Sequence, residues 1–341
     1  MQIQSNFPLK PYNTFGIDVR ARYFSSFSDI EQLKELSIHH PITIGQPTKC
    51  FILGGGSNVL FTKDFDGHVL KNDIRGTAKI NEDEENVYIK VGAGENWHQF
   101  VLFCIENNWQ GIENLSLIPG NVGASPMQNI GAYGVEIREV FLELNAFHLQ
   151  EKNVHKFNLR DCEFGYRESV FKKKFKDQFV ILDVTYRLNK TPKFNTSYGA
   201  VERELQRMNV HDLTIAAISQ AIINIRTSKL PDPAVIGNAG SFFKNPSVSK
   251  KKFDELKTAF DNIIGFENPD GTIKLAAGWL IEQCGWKGFR KDDAGCYEKQ
   301  ALVLVNYGRA TGQEIYDLSE DIRQSVMKKF GVALEREVNI I

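Results

Sequence analysis

Residues 116 to 134, SLIPGNVGASPMQNIGAYG, constrain this chain more than any other stretch. Gly120, Gly123, Gly131 and Gly134 stand among serine, asparagine and glutamine, with no charged residue over 19 positions. A surface loop of that length is uncommon in a compact domain and is usually functional. A second glycine run, GGGSNVL at 54 to 60, comes directly after the apolar segment KCFIL. Successive glycines let neighbouring backbone N–H groups turn toward one anion. The run is not G-x-G-x-x-G, and no G-K-[ST] comes after it to make a P-loop. Alone it reads equally as a phosphate cradle and as a tight hairpin. Two such loops, separated in sequence and uncharged, read as a dinucleotide site in which backbone donors hold a pyrophosphate.

At 341 residues the chain exceeds one ordinary core, so two or three domains are expected. Lys plus Arg is 41 against 42 acidic residues, a net charge of -1. That balance excludes a general nucleic-acid or anionic-membrane surface and leaves room for a local basic pocket. Cys50, Cys104, Cys162, Cys284 and Cys296 are odd in number and scattered, which argues against a disulfide framework or zinc site and for a reducing cytosol. The seven histidines form no metal-ligand spacing, so no metal is expected. The N-terminal MQIQSNFPLKPYNTFGID has no apolar core of signal-peptide length, and no stretch approaches the ~20 apolar residues that cross a bilayer. The expectation is a soluble, cytoplasmic monomer with no membrane or nucleic-acid partner.

The pattern along the chain is mixed. SDIEQLKELSI predicts a helix capped by Ser28 with Glu31 three residues on, and with Ile30, Leu33 and Leu36 on one side. KCFILGGGSNVLF reads as a buried strand, a glycine turn and a second strand. NVYIKVGAGEN alternates like a strand, and a helix starts near Asn96. A β-rich stretch runs from Val140 to Leu188; YGAVERELQRM and LTIAAISQAIINIR are helical. SKLPDPAVIGNAG reads as a Pro/Gly-rich linker or loop. Beyond it three helices interleave with the strand QALVLVNY; the last has a Thr311/Glu314 capping box, an Ile315/Leu318/Ile322/Val326 stripe and Gly331 at its stop. A boundary near Arg226 to Pro233 gives an α+β first part and a smaller α/β second part.

Three stretches carry chemistry-bearing residues. GNAGSFFKNP presents Ser241 after Ala239-Gly240, without the G-x-S-x-G spacing of a nucleophile elbow and without an evident base. FGYRESVFK carries Arg167, which taken alone reads as a strand-edge arginine paired with Glu168. LEREVNII puts Glu335 and Glu337 on one face of a predicted strand, in isolation a solvated face.

Eight stretches occur in order across nearly the whole chain: YNTFGID, ILGGGSNVL, GIENLSLIPGNVGASPMQNIGAYGVEI, FGYRESVFK, TSKLPDP, GNAGSFFKNP, AAGWLIEQCGWKG and LEREVNII. Together they closely resemble the UDP-N-acetylenolpyruvoylglucosamine reductase (UDP-N-acetylmuramate dehydrogenase) family of bacterial peptidoglycan synthesis. FNTSYGAV looks like the longer, type I form, whose extra loop closes over substrate. The resemblance implies an α+β fold with a vanillyl-alcohol-oxidase/PCMH-type FAD-binding domain of two subdomains, residues 1–70 and 71–226, the second bearing the Tyr198 loop. A C-terminal α/β substrate domain, 227–341, would return its last strand to the active site. It implies noncovalent FAD, with contacts in the two glycine loops at Gly54, Gly55, Gly56, Ser57 and Asn58, and at Pro119, Gly120, Gly123, Ala124, Ser125, Gln128, Asn129, Gly131 and Ala132. It implies NADPH as reductant, catalytic roles for Arg167, Ser241 and Glu337, and substrate contacts at Tyr198, Lys229, Asn245 and Gln300. Arg336 departs from the proline that family members often have in E-P-E-V, and is expected to loosen the backbone around Glu337 while leaving its carboxylate in place.

The family's substrate, UDP-N-acetylglucosamine enolpyruvate, is an enol ether bearing a carboxylate. Hydride from reduced flavin reaches its terminal vinyl carbon, and negative charge grows at the adjacent carbon and carboxylate. Arg167 suits that carboxylate because its planar fork binds bidentately. Glu337, protonated in a dry site, would share the task as a donor. A carbanion-like centre is basic enough to take a proton from an alcohol, so Ser241 needs no histidine beside it. Two rivals remain: an oxygen-using flavin oxidase of a carbohydrate or hydroxy acid on the same fold, and a non-catalytic nucleotide-sugar-binding protein.

Overall fold

The computed structural model describes residues 2–39, 49–191 and 193–341. The chain forms two compact units, and neither is continuous in sequence. The first comprises Met1–Phe7, Ala21–Gly55 and Asp66–Ser228; the second comprises Pro8–Arg20, Gly56–Phe65 and Lys229–Ile341.

The first unit is built on a five-stranded antiparallel sheet in the order Val154–Asn158, Phe141–His148, Phe179–Asn189, Asn86–Gly92, Thr77–Glu82. The period-2 pattern read from NVYIKV sets its register. Val87, Ile89 and Val91 are fully buried and lie opposite Leu188, Tyr186 and Val184, so one face presents a continuous apolar ladder. Trp97, Phe100, Val101 and Cys104 join that core. The other face packs Phe147, Leu149, Val180 and Leu182 against Phe27 and Leu70, which belong to a four-stranded sheet ordered Gln4–Pro8, Arg20–Phe27, Phe65–Asn72, Lys49–Leu53.

Among the described residues, α-helices here are α1 Ile30–His39, α2 Trp97–Glu106, α3 Gly199–Arg207 and α4 Ile215–Lys229, whose last residue falls to the second unit. Leu33 and Leu36 of α1 are buried, as the sequence predicts, but its cap is displaced by one residue. Asp29 Oδ1 accepts from the Gln32 amide at 2.8 Å, and Gln32 Oε1 accepts from the Ser28 amide at 3.0 Å, while Glu31 pairs with Lys34. An ionised acceptor one position nearer the first turn displaces the serine hydroxyl. Asn96 caps α2 through the Gln99 amide at 3.0 Å. Helix α4 runs on through Lys229, into the stretch expected as linker, and ends where Leu230 precedes Pro231.

The second unit holds a four-stranded antiparallel sheet, Gly237–Ser241, Val303–Asn306, Ala294–Cys296, Arg290–Lys291, and a three-stranded one, Ser247–Val248, Ile273–Leu275, Gly265–Glu267. Helices α5 Lys250–Ala259, α6 Ala277–Gln283 and α7 Gly312–Phe330 complete it. Helix α7 has the expected Thr311/Glu314 box, a buried Ile315, Leu318, Ile322, Val326 stripe and a left-handed Gly331 at φ 62°. The Pro8–Arg20 segment is locked in by Asn306, whose Nδ2 donates to the Phe15 carbonyl at 2.9 Å, and by the Phe15 ring against Phe242.

Two local expectations change. Lys49–Leu53 pairs in parallel with Phe65–Asn72 and Val59–Leu60 pairs in parallel with Asn339–Ile340, so the strands flanking GGGSN form no hairpin. Within LEREVNII only Asn339–Ile340 is a strand; Arg336 makes one bridge, to Phe243.

Candidate active site

In the first unit the two glycine-rich loops meet. A Cβ on Gly55 would lie 2.8 Å from Gly120 Cα and 2.9 Å from Asn121 Oδ1, so no side chain fits between the two loops there. The Gly120 loop is anchored at the start of α2: the Trp97 amide donates to the Gly120 carbonyl at 3.0 Å and the Val122 amide to Glu95 at 2.8 Å. Several residues expected to contact the cofactor also brace the loop internally. The amides of Gly123, Ala124 and Ser125 donate to the carbonyls of Ala93, Asn121 and Val122, and Ser125 Oγ sits 2.7 Å from the Tyr186 hydroxyl in the core. Asn129 is fully buried; its Nδ2 reaches Glu136 and the Gly165 carbonyl, each at 3.0 Å. Gln128 Oε1 faces Lys172 Nζ at 3.5 Å, Ala132 pairs with Val135, and Pro119 is exposed.

Arg167 lies in a tight turn, closed by reciprocal backbone bonds between Gly165 and Glu168, not on a strand edge. Its φ is 55°, left-handed, a conformation that costs a non-glycine residue about 1–3 kcal/mol and persists where surroundings dictate it. Its Nη2 donates to the Gly131 carbonyl and its guanidinium stacks over Tyr166, while Glu168 faces Lys173 at 3.4 Å. Arginine and second glycine loop are therefore one structure. Tyr198, half exposed at the start of α3, stands edge-on to Tyr133 with ring centroids 5.3 Å apart. The loop before it is tied to the same place: Asn114 Nδ2 donates to the carbonyls of Tyr133 at 3.0 Å and Asn195 at 2.9 Å, and Asn195 Nδ2 donates to Gly134 at 3.0 Å.

Arg226 gives no sequence signal, because it sits in an ordinary-looking helix. Its Nε donates to the Leu117 carbonyl at 3.2 Å, and its side chain faces Tyr133. Burial, and then the Arg167 charge, pull its pKa below the ordinary guanidinium value, and no carboxylate among the described residues pairs with it. His98 Nδ1 accepts the Leu117 amide at 3.0 Å, and burial with the Arg226 charge holds its pKa down. The guanidiniums of Arg226 and Arg167 thus lie near enough to repel, an arrangement suited to an anion.

In the second unit Gly56 is buried, with its carbonyl accepting the Thr14 amide at 3.0 Å, and Ser57 is half-buried. Asn58 is tied to the C-terminal segment, its Nδ2 3.4 Å from the Glu337 carbonyl and its own carbonyl 2.9 Å from Asn339 Nδ2. Ser241 ends its strand on a bulge. Register slips between Asn238 and Ser241, Gly240 takes φ 69°, and the Gly240 amide donates to Asn238 Oδ1 at 3.0 Å. Only glycine takes that backbone cheaply, and the bulge re-aims the serine side chain next to it. Ser241 is exposed, while Phe242 and Phe243 beside it are buried. The Glu337 amide donates to the Phe242 carbonyl at 2.8 Å, and Glu337 is half-buried. Lys244 is buried and pairs with Glu335 at 2.5 Å. Asn245 Oδ1 accepts the Ala277 amide at 2.9 Å at the start of α6, and Gln300 Oε1 accepts the Leu302 amide at 3.3 Å beside Gly278. Lys229 is the exposed last residue of α4.

Arg336 does not loosen its segment. Its Nε donates to Ser319 Oγ at 2.8 Å and its Nη2 to Glu320 at 2.7 Å, so a side-chain network fixes the backbone there.

Known proteins match this arrangement over its full length. The chain is 49% identical to UDP-N-acetylenolpyruvoylglucosamine reductase of Flavobacterium johnsoniae over 342 residues, covering 100% of both. The chain belongs to the UDP-N-acetylenolpyruvoylglucosamine reductase family. It is also 51% identical to the reductase of Amoebophilus asiaticus, again covering 100% of both, and 46% identical to that of Pseudomonas putida, covering 100% of this chain and 99% of the other. The family description "UDP-N-acetylenolpyruvoylglucosamine reductase, C-terminal domain" matches residues 232–341, and "FAD binding domain" matches 46–148, which contains both glycine loops. A crystal structure of the reductase from Thermus caldophilus superposes with a TM-score of 0.70 at 21% identity, covering 100% of this chain and 99% of that one, which supports the fold. The α+β class with an FAD-binding domain is as the sequence predicts.

Proposed function

We propose that this chain reduces UDP-N-acetylglucosamine enolpyruvate to UDP-N-acetylmuramate with NADPH, in the cytoplasmic stage of peptidoglycan synthesis. The observation that carries the reading is the Gly240 bulge, which exposes Ser241 next to the segment bearing Glu337. Full-length similarity to the reductases supports it. The two glycine loops, which meet backbone to backbone at Gly55 and Gly120, suit the pyrophosphate of FAD through their backbone donors. Bound there, FAD would supply hydride transfer from NADPH to the terminal vinyl carbon.

The chain's own residues do the rest. Arg167, held by the Gly131 carbonyl, meets the charge that grows on the substrate carboxylate; a preorganised donor of this kind is worth about 3–4 kcal/mol in the transition state. Arg226 adds positive charge on the same unit. Glu337, in its protonated form, donates to the same carboxylate. Ser241 gives its Oγ proton to the carbon adjacent to the attacked one, completing the reduction. Lys229 and Asn245 bind the diphosphate and nucleotide, and Tyr198 and Gln300 are further substrate contacts; Asn245 offers its Nδ2, since Oδ1 is occupied by α6. We take the three segments 1–70, 71–226 and 227–341 as the working functional division, and the active form as a monomer.

The test is the absorption spectrum of the pure protein under anaerobic conditions. A noncovalent flavin should bleach with NADPH and recolour with the enolpyruvyl nucleotide sugar. A colourless protein contradicts the reading, and rapid recolouring by oxygen alone favours a flavin oxidase.

A further inference from the structure

Glu337 is carried by backbone with little structure of its own. Residues 332–335 form neither helix nor strand, and Arg336 contributes one bridge, to Phe243. A reacting carboxyl on such a segment needs an external frame, because a misplacement of about 1 Å can cost ~10²-fold in rate. One side of that frame is backbone: the Glu337 amide donates to Phe242 at 2.8 Å and the Lys244 amide to Glu335 at 2.9 Å.

The other side is helix α7. The Arg336 guanidinium donates from Nε to Ser319 Oγ at 2.8 Å and from Nη2 to Glu320 Oε2 at 2.7 Å. Its Cζ lies 4.4 Å from the centroid of the Tyr316 ring. Tyr316, Ser319 and Glu320 share one face of α7 by their spacing of three and four, so a single side chain grips more than one turn of helix. The grip is doubled. Arg323 donates to the same Glu320 at 2.7 Å and, through Nε, to the Leu334 carbonyl at 2.9 Å. The Arg336 side chain is 14% exposed, where hydrogen-bonded ion pairs are screened least. The two flanking arginines hold the Glu320 carboxyl below its ordinary pKa, consistent with a charged anchor at neutral pH.

We infer that Arg336 is a positioning residue, which clamps the C-terminal segment to α7 and thereby fixes Glu337 next to the strand end that presents Ser241. The inference rests on the proposed role of Glu337. Arg336 acts through the backbone of its neighbour and not on a reacting atom, so its loss should affect the step that uses Glu337 and leave the others alone.

Anaerobic stopped-flow measurement on the full-length holoenzyme tests this with Arg336→Met, which keeps an apolar stem over Tyr316 and removes the donors. Flavin reduction by NADPH and the substrate Kd should stay within about twofold, while recolouring by the enolpyruvyl substrate slows ~10–100-fold. Arg336→Lys should recover part of the loss. The decisive comparison is with Glu337→Gln. If Arg336 acts through Glu337, the double variant is no slower than Glu337→Gln alone; a general structural role makes the two losses add. Additive losses, or recolouring of Arg336→Met at the parent rate, overturn the inference. Where Arg336→Met does not fold, Ser319→Ala removes one of its two hydrogen-bonded anchors, and a parent rate there overturns it equally. Parent-rate recolouring in Glu337→Gln would remove the reading of Glu337 and this inference with it. A slow Glu337→Gln beside an unaffected Arg336→Met removes this inference alone.

Discussion

The amide of Glu337 donates to the carbonyl of Phe242 at 2.8 Å, one residue beyond Ser241. Segments that lie far apart in sequence are thus held in one short backbone pairing, with Gly240 turning the serine out at one end and Arg336 fastening the other. The geometry suits a proton donor and a carboxyl that act on the same molecule. It also makes each half of the site separately testable.

Gly55→Ala should expel flavin. The added Cβ would come within 2.8 Å of Gly120 Cα and 2.9 Å of Asn121 Oδ1, and the first of these is backbone that cannot rotate away. Relief requires the loops to part, at a cost typical of overpacking, about 1–3 kcal/mol. The ratio of visible to ultraviolet absorbance of the purified variant reads flavin content. Parent flavin content in a folded Gly55→Ala would show that the contact between the loops is not needed for the cofactor.

Tyr198→Phe and Lys229→Ala should act on substrate affinity and not on flavin reduction by NADPH. Tyr198 leans edge-on on Tyr133 through its ring, which phenylalanine keeps, so only the hydroxyl is lost. Weaker binding of the nucleotide sugar with an intact loop is the expected result. Titration of the substrate against the flavin spectrum gives the Kd. A Tyr198→Phe that binds normally removes the hydroxyl from the substrate contacts. Impaired flavin reduction in Lys229→Ala would place that lysine at the NADPH site as well.

Glu113 offers a stability test independent of catalysis. It is buried, accepts the Gly111 amide at 2.8 Å, and burial raises its carboxyl pKa. A folded-state pKa above the unfolded one means that the native state binds more protons across that interval, so its contribution to stability falls as pH rises through it. Glu113→Gln keeps an acceptor and removes the titration. Its melting temperature relative to the parent should therefore be higher at about pH 8 than at about pH 4. A difference that does not change with pH contradicts the assignment.

Much of this could be read from the sequence, and the reasons are local. The β-strand alternation at Asn86–Gly92, the Asn96 cap and the Thr311/Glu314 box each depend on side chains within a few residues, so their patterns survive folding. Ser241, Arg167 and Glu337 are legible only through ordered motifs. Long-range relationships leave no such trace. Nothing in Pro8–Arg20 or Gly56–Phe65 marks them as parts of the second unit, because their partners, such as Asn306 for Phe15, are hundreds of residues away. Arg226 looks like any helical arginine until burial and the absence of a carboxylate partner among the described residues single it out. The reading of Arg336 as a loosening substitution misses that its side chain reaches α7, which no local pattern could reveal.

Ser241→Ala, tracked through both half-reactions by anaerobic stopped flow, tests the central claim most directly. If Ser241 protonates the carbon beside the reduced one, the variant should bind FAD and bleach with NADPH at the parent rate. Recolouring by the enolpyruvyl nucleotide sugar should slow by ~10²–10⁴, the worth of a positioned general acid, and Ser241→Cys should recover part of it. A merely structural serine would cost about 1 kcal/mol of stability and affect both half-reactions alike or neither. Recolouring of Ser241→Ala at the parent rate would contradict the assignment of Ser241 as the acid.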